Sequence, residues 1–180
     1  MRQPRSRLRV KADCDGREQS CSGLSPGSYT AVVRGVNNTT GVALVEAYDL
    51  DTTVTSRLTN ISTRSLVQTN SNVMIAGLIV QSNSEEVIVR ALGPTLSQFG
   101  VSNALADPTL ELRDANGTLI ASNNNWKDTQ QSDIQASGYA PPNDLESALI
   151  RTLAPANYTA IVRGVNGTTG VALVEVYALQ

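Results

Sequence analysis

Short runs of alternating apolar and polar residues recur along the chain, separated by clusters rich in Asn, Gly, Ser, Asp and Pro. In the run 171–177, every second residue from Ala172 to Val176 is apolar and faces one side, whereas Glu175 faces the other. A period of two is typical of a strand with one face in a core and one partly solvated. The pattern therefore predicts β-strands rather than helices for most of the sequence.

Turn signals occur about every 8–14 residues, among them Gly93-Pro94, Asp114–Gly117 and Asn166-Gly167. About eight short strands at this spacing predict an all-β, antiparallel β-sandwich or jelly roll. Because Asn-Gly tolerates positive φ, the last two strands are interpreted as a β-hairpin. The predicted strands are 56–62, 72–81, 85–92, 109–113, 118–122, 147–153, 158–163 and 171–177, and one short helix is predicted at 129–136.

The alternation also predicts which side chains point into the core. These residues are apolar and alternate with polar neighbours or lie in strongly β-forming runs. The set comprises Val73, Ile75, Ile79, Val87, Val89, Leu110, Leu112, Leu119, Leu149, Val162, Val174 and Val176.

An internal repeat is the strongest signal in the sequence. Residues 24–50 read LSPGSYTAVVRGVNNTTGVALVEAYDL and residues 153–179 read LAPANYTAIVRGVNGTTGVALVEVYAL, with 20 of 27 positions identical. The constant offset of 129 residues predicts a complete repeat unit at 52–180 and an orphan β-hairpin at 24–51 from a truncated preceding unit. Residues 1–23 match neither copy and are predicted to be a non-native or disordered N-terminal segment.

Two segments together resemble a known type of module. ADPTLELRDANGTLIASNNNW at 106–126, followed by LAPANYTAIVRGVNGTTGVALVEVY at 153–177, is similar to repeat units of large secreted bacterial proteins. It is more distantly similar to pre-peptidase C-terminal (PPC-like) jelly-roll modules. The resemblance implies an extracellular, non-catalytic accessory module and carries over no agreed ligand residues.

Charge is unevenly distributed in a chain whose net charge is −2. Residues 1–17 carry six basic and two acidic side chains, so the remainder is acidic. An acidic body repels phosphate, and the basic run contains no aromatic residue for base stacking, which excludes nucleic acid as an expected partner. No run of about 18 apolar residues is present, so membrane insertion is not expected either. Cys14 and Cys21 lie outside the patterned region and are interpreted as incidental.

The absence of histidine from the sequence excludes Ser-His-Asp and Cys-His catalysis and the common zinc sites. A small carboxylate-dependent hydrolase stays open as an alternative, because paired carboxylates suffice for glycoside hydrolysis. We nevertheless expect no enzyme activity and no catalytic residue. The candidate acids are Asp107, Asp114, Asp128, Asp133, Asp144 and Glu146.

Two binding sites can be proposed from the loop residues. Calcium prefers carboxylate and amide oxygens, and its candidate ligands are Asp107, Asp114, Asn116, Asp128 and Asp144. Trp126 with Asn124 and Asn125 would suit a sugar ring. The competing interpretations are that Asp and Asn form turns and that Trp126 closes the end of a core. No cofactor other than calcium is expected.

The first functional hypothesis is a structural or adhesive repeat module, extracellular or at the cell surface, with no signal peptide within this sequence. The alternatives are a carbohydrate-binding accessory module of a secreted enzyme and the hydrolase named above. Polysaccharide or another cell-surface protein is the expected partner. Self-association through the orphan hairpin 24–51 is expected as well, because a bare hairpin leaves apolar groups and strand edges exposed.

Overall fold

The structure is a computed structural model that describes residues 6–13, 22–49 and 59–179. The chain divides into two compact units, residues 1–58 and residues 59–180. In the first unit the described strands are β1 (Ser6–Asp13), β2 (Ser22–Leu24) and β3 (Leu44–Asp49), which form one sheet in the order β2-β1-β3.

The second unit contains eight strands and one short helix among its described residues. They are β4 (Asn60–Val67), β5 (Met74–Val80), β6 (Glu85–Leu92), β7 (Pro108–Arg113), β8 (Leu119–Asn123), α1 (Gln131–Ala136), β9 (Ser147–Leu153), β10 (Ala156–Gly164) and β11 (Gly170–Ala178). Short 3₁₀ turns at Pro94–Phe99 and Val165–Gly167 link strands. The predicted segments 85–92 and 147–153 match β6 and β9 at both ends.

The eight strands form two four-stranded antiparallel sheets, in the orders β5-β10-β7-β8 and β4-β11-β6-β9. Their inner faces supply a common core that includes Val89, Leu110, Leu149, Val162 and Val174. The all-β sandwich predicted from the alternation is therefore confirmed. Burial of this apolar area is the main stabilising contribution, at about 25 cal/mol per Å².

A second, smaller core lies on the outer face of the β4-β11-β6-β9 sheet. Ile88 of β6 and Ile150 of β9 point away from the main core and pack with Ile134 of α1 and with Trp126. Strand β6 is consequently buried on both faces, which explains its nearly continuous apolar sequence.

The prediction of a terminal hairpin is wrong. Strands β10 and β11 are consecutive in sequence but belong to different sheets, and the turn between them crosses the sandwich as an arch. The predicted positive φ is present at Asn166 (53°) and Gly167 (73°). Alternation cannot separate the two cases, because inward residues of two strands face the same core whether the strands lie side by side or opposite each other.

Three predicted inward residues are also wrong. Ile75, Ile79 and Leu119 are about half exposed, whereas Met74 and Val80 on the other face of β5 are buried. Strand β5 is apolar on both faces, so a period of two gives no preference between them, and tertiary packing decides.

In the first unit, residues 29–35 form no strand, so the first arm of the predicted orphan hairpin is absent, and β3 pairs with β1 instead. Of residues 1–23, which were predicted to be a non-native or disordered N-terminal segment, Ser6–Asp13 and the first residues of Ser22–Leu24 are described, and they lie in strands. Cys14 and Cys21 lie outside the described residues.

Candidate functional site

An open groove of about 960 Å³ runs along the outer face of the β4-β11-β6-β9 sheet, next to α1. Its lining combines two carboxylates, Glu86 and Asp133, with the guanidinium of Arg151 and the aromatic rings of Tyr139 and Tyr177. Mixed charged, amide and aromatic lining of this kind suits a polar ligand with one apolar face.

The wall of the groove is held against the sheet by α1 and its flanking loops. Ile134 is completely buried and anchors the helix in the outer core. The Gln130 side chain accepts a hydrogen bond from Ile150 N (3.0 Å) and donates one to Ile150 O (3.1 Å). An amide side chain presents the same donor and acceptor as a peptide group, so Gln130 replaces a neighbouring strand at the β9 edge.

A network of charged and aromatic side chains links β6 and β11 beside the groove, and its members Tyr139 and Tyr177 line the groove. Arg90 Nε donates to Glu175 Oε2 (2.7 Å) and Arg90 Nη1 donates to Tyr139 O (2.8 Å). Tyr177 donates to Glu175 Oε1 (3.0 Å), and its ring stacks on Tyr139 with the centroids 4.3 Å apart. Burial and the neighbouring Glu175 carboxylate raise the pKa of Tyr177, although Arg90 opposes the shift. The ion pair of Arg90 with Glu175 is largely buried, with 15% and 10% of the two side chains exposed.

Glu146 is the second buried charged group, and it organises the loops at one end of the sandwich. Its Oε1 accepts hydrogen bonds from Gly93 N (3.1 Å) and Thr95 N (3.0 Å). Its Oε2 accepts from Thr95 Oγ1 (3.0 Å) and Asn143 N (3.2 Å). A fully buried carboxylate with four donors is a structural element. It is therefore not placed to act as a hydrolytic acid or base.

Trp126 is buried, with 4% of its surface exposed, and packs in the outer core. Its Nε1 donates to Asn143 O (3.1 Å), and Lys127 Nζ lies 5.3 Å from the ring centroid. A ring this buried offers little face on which a sugar could stack. The competing interpretation of Trp126 as a core residue is correct.

The two asparagines predicted to accompany Trp126 accept hydrogen bonds through their backbone carbonyl oxygens. Asn124 O accepts a hydrogen bond from Ser147 Oγ (2.6 Å), and Asn125 O accepts one from Asn123 Nδ2 (2.9 Å). The Oδ1 atom of Asn125 is buried without a hydrogen-bond partner.

The candidate calcium ligands do not converge. Asp114 Oδ1 accepts from Asn116 N and Thr118 N, both at 2.8 Å, which is the bonding of a turn. Asp144 pairs with Lys127 at 2.6 Å, and Asp128 N donates to Asn125 O at 2.9 Å. Among residues 6–13, 22–49 and 59–179, no group of three or more acidic, Cys or His side chains is arranged to hold a metal ion.

Asp107 differs from the other predicted ligands. Its backbone O accepts from Val165 N (3.0 Å), but its Oδ1 is buried and unpartnered. Burial raises the pKa of this carboxyl group above its ordinary value. Among the predicted calcium ligands, Asp107 is the one with a buried side-chain oxygen that has no hydrogen-bond partner.

The groove was not predicted from the sequence. Asp133 was considered only as a hydrolytic acid, and Glu86, Arg151 and Tyr139 were not singled out. These residues come from β6, β9 and the loop after α1, and no local spacing links them. The pairing of β6 with β11, which brings Arg90 beside Glu175, is set by the tertiary fold and by no local sequence pattern.

Comparison with solved structures gives a distant likeness. The chain is similar to the pre-peptidase C-terminal domain of collagenase from Bacillus anthracis, with 12% sequence identity and a TM-score of 0.42. The match covers 65% of this chain and 88% of that domain. No family model matches the sequence, and no curated protein matches it.

The domain named in this likeness is of the type that the sequence resembles. In the part of the chain that the structure describes, no helix has the length and apolar character needed to cross a membrane.

Proposed function

We propose that this chain is a non-catalytic structural or adhesive repeat module of an exported protein, extracellular or at the cell surface. The observation that carries the proposal is the repeated segment, in which 20 of 27 residues are identical. Both copies hold the same tyrosine hydrogen bond and the same turn. Recurrence of one local structure in one chain is typical of repeat proteins.

The acidic side chains support a non-catalytic role. Glu146 is saturated with donors, Asp114 closes a turn and Asp144 is paired with Lys127. If the protein were a hydrolase, its catalytic carboxylates would have to be Glu86 and Asp133, which line the groove.

A panel of chromogenic glycosides and esters tests this assignment. We expect the parent protein to show the same background turnover as the double variant Glu86→Gln/Asp133→Asn, which retains the shape of both side chains. Turnover that exceeds the double variant would favour the hydrolase and contradict the proposal. Binding to immobilised cell-surface polysaccharide and protein fractions tests adhesion directly.

Carbohydrate binding is the second candidate, and the groove rather than Trp126 favours it. Tyr139 and Arg151 both line the groove, and a sugar needs both an apolar face and polar partners. On a glycan array, Arg151→Ala should weaken binding by about tenfold, which corresponds to one lost charged hydrogen bond. Arg163→Ala on the other sheet is the matched control and should bind as the parent does.

Self-association through residues 24–51 forms part of the proposal. Val32 and Val45 are strongly exposed, whereas Val174, the counterpart of Val45, is buried. Exposed apolar strand sequence favours association. We expect sedimentation of the full chain to show concentration-dependent oligomers that decrease in Val32→Lys/Val45→Lys. Oligomers unchanged by both substitutions would exclude this segment as the contact.

A further inference from the structure

Strand β5 is an apolar strand at the edge of its sheet. Within residues 59–179 it pairs with β10 on one side and with no strand on the other. Its outer face exposes Ile75 and Ile79, at 57% and 55%, on either side of Gly77. An edge strand with free backbone groups and apolar side chains is a template for another strand.

The other three edges of the sandwich are protected. On edge strand β9, side chains already hydrogen-bond outward backbone groups. Asn123 Oδ1 accepts from Ala148 N, and the Gln130 side chain bonds both Ile150 N and Ile150 O. Strand β4 carries Arg64 and mostly polar side chains. Strand β8 has five residues, and a register shift interrupts its pairing with β7. Charge, short length and irregularity are the usual means by which edges avoid association.

Charge places a further limit on the partner of β5. The twenty residues from Ser65 to Ser84 include no Asp, Glu, Lys or Arg. Nothing in this stretch attracts a charged strand, and two uncharged strands do not repel each other. The complementary partner is therefore another uncharged apolar strand.

The sequence of β5 is itself such a strand, because its exposed face carries Ile75 and Ile79 symmetrically about Gly77. In an antiparallel pair with a twofold axis at Gly77, Ile75 faces Ile79 of the other strand on the outer surface. On the inner surface Ala76 faces Leu78, a small residue opposite a large one. A twofold interface requires this self-complementarity, in which residue i meets residue j and j meets i.

We propose that β5 is a self-association site, at which a second copy of this chain adds its own β5 antiparallel about Gly77. The β5-β10-β7-β8 sheets of the two copies then join into one eight-stranded sheet. A contact of seven residues per chain buries less than the roughly 800 Å² per partner typical of stable complexes. The dimer is accordingly weak and appears as the concentration rises.

The register can be tested with charge pairs in the full chain. In Ile75→Lys/Ile79→Lys, each lysine faces a lysine of the other copy, so the dimer dissociation constant should rise by about tenfold or more. In Ile75→Lys/Ile79→Glu, each lysine faces a glutamate, so dimerisation should return. Both variants replace the same two exposed side chains, and coinciding melting curves at low concentration show that both are folded.

Sedimentation equilibrium at several protein concentrations measures the dimer dissociation constant of each variant. Loss of the dimer in the Lys/Lys variant and its return in the Lys/Glu variant support the proposal. Three results would overturn it. They are a parent that stays monomeric, a Lys/Lys variant that still dimerises, and a Lys/Glu variant that stays monomeric. Val45→Lys is included in every background, because it weakens association through residues 24–51 and leaves the β5 contact intact.

Discussion

Residues 24–50 and 153–179 have nearly the same sequence but different structures. Their local features agree: Tyr29 OH donates to Ser25 O at 2.7 Å, and Tyr158 OH donates to Ala154 O at 2.8 Å. The turns also agree, with φ of 54° at Asn37 and 53° at Asn166.

Longer-range structure separates the two copies. Val162 is fully buried in β10, whereas the equivalent Val33 is 36% exposed and lies in no strand. The comparison shows that contacts within about four residues form from the segment alone. A strand, in contrast, requires partners distant in sequence.

The largest expected difference between the copies is at the pair Val174 and Val45. Val174→Asp places an unpaired carboxylate in the core and should lower the free energy of unfolding by about 3–5 kcal/mol. Val45→Asp, the matched control, should change it by less than about 0.5 kcal/mol because the side chain is exposed. Urea denaturation of both variants measures the difference, and equal destabilisation would mean that the copies are equally buried in solution.

A smaller difference is expected at the glycines that begin the two turns. A Cβ atom at Gly164 would collide with Thr168 O, and one at Gly35 would collide with Thr39 O. Gly164→Ala should cost about 2 kcal/mol, because the turn it distorts joins the two sheets. Gly35→Ala distorts a turn that joins no strands of the sandwich and should leave the main unfolding transition in place. If Gly164→Ala unfolds at the parent's denaturant concentration, the arch tolerates the displacement.

The same distinction explains how much could be predicted from the sequence. Strand positions such as Glu85–Leu92 and Ser147–Leu153, and the positive φ at Asn166, depend on neighbouring residues and were predicted. The arch between β10 and β11 and the burial of Met74 instead of Ile75 depend on which sheet each strand joins. Alternation contains no information on that choice, so these features were predicted wrongly.

The candidate site was less accessible to prediction than the fold. Trp126 and the acidic loops were singled out by residue type, but burial removed Trp126 and hydrogen bonding engaged Asp114 and Asp144. The groove is formed by α1 lying against β9, through Gln130 and Ile134. Such a surface exists only after the tertiary structure has formed.

A stabilising effect of calcium should be confined to the complete unit, because all of its candidate ligands lie there. If the ion binds, calcium at ten times its Kd stabilises the folded state by about 1.4 kcal/mol. The melting temperature should rise with calcium and fall back with EDTA, and Asp107→Asn should reduce the response. Coinciding melting curves in calcium and in EDTA would leave only the turn-forming role for Asp114, Asp128 and Asp144.

The smallest expected effect is at Asp107 without calcium. Its folded pKa is raised above the unfolded value, so its contribution to stability is complete below the unfolded pKa and is lost as pH rises through the folded pKa. At neutral pH the charged carboxyl group is therefore unfavourable, and Asp107→Asn should stabilise the protein by no more than about 0.5 kcal/mol, because solvent screens the charge. The gain should disappear below pH 4, which thermal melts at both pH values can check. A gain that persists in acid would assign the effect to packing instead.

The side-chain amide of Gln130 has a consequence for hydrogen exchange. Ile150 lies on an edge strand, where an amide proton normally exchanges quickly because water reaches it. Here the proton is bonded to Gln130 Oε1, as Ala148 N is to Asn123 Oδ1. Both protons should consequently exchange as slowly as those of central strands, whereas outward amides of β4 and β5 exchange fast. Gln130→Ala should release the Ile150 proton alone, which makes this one side chain the equivalent of a strand one residue long.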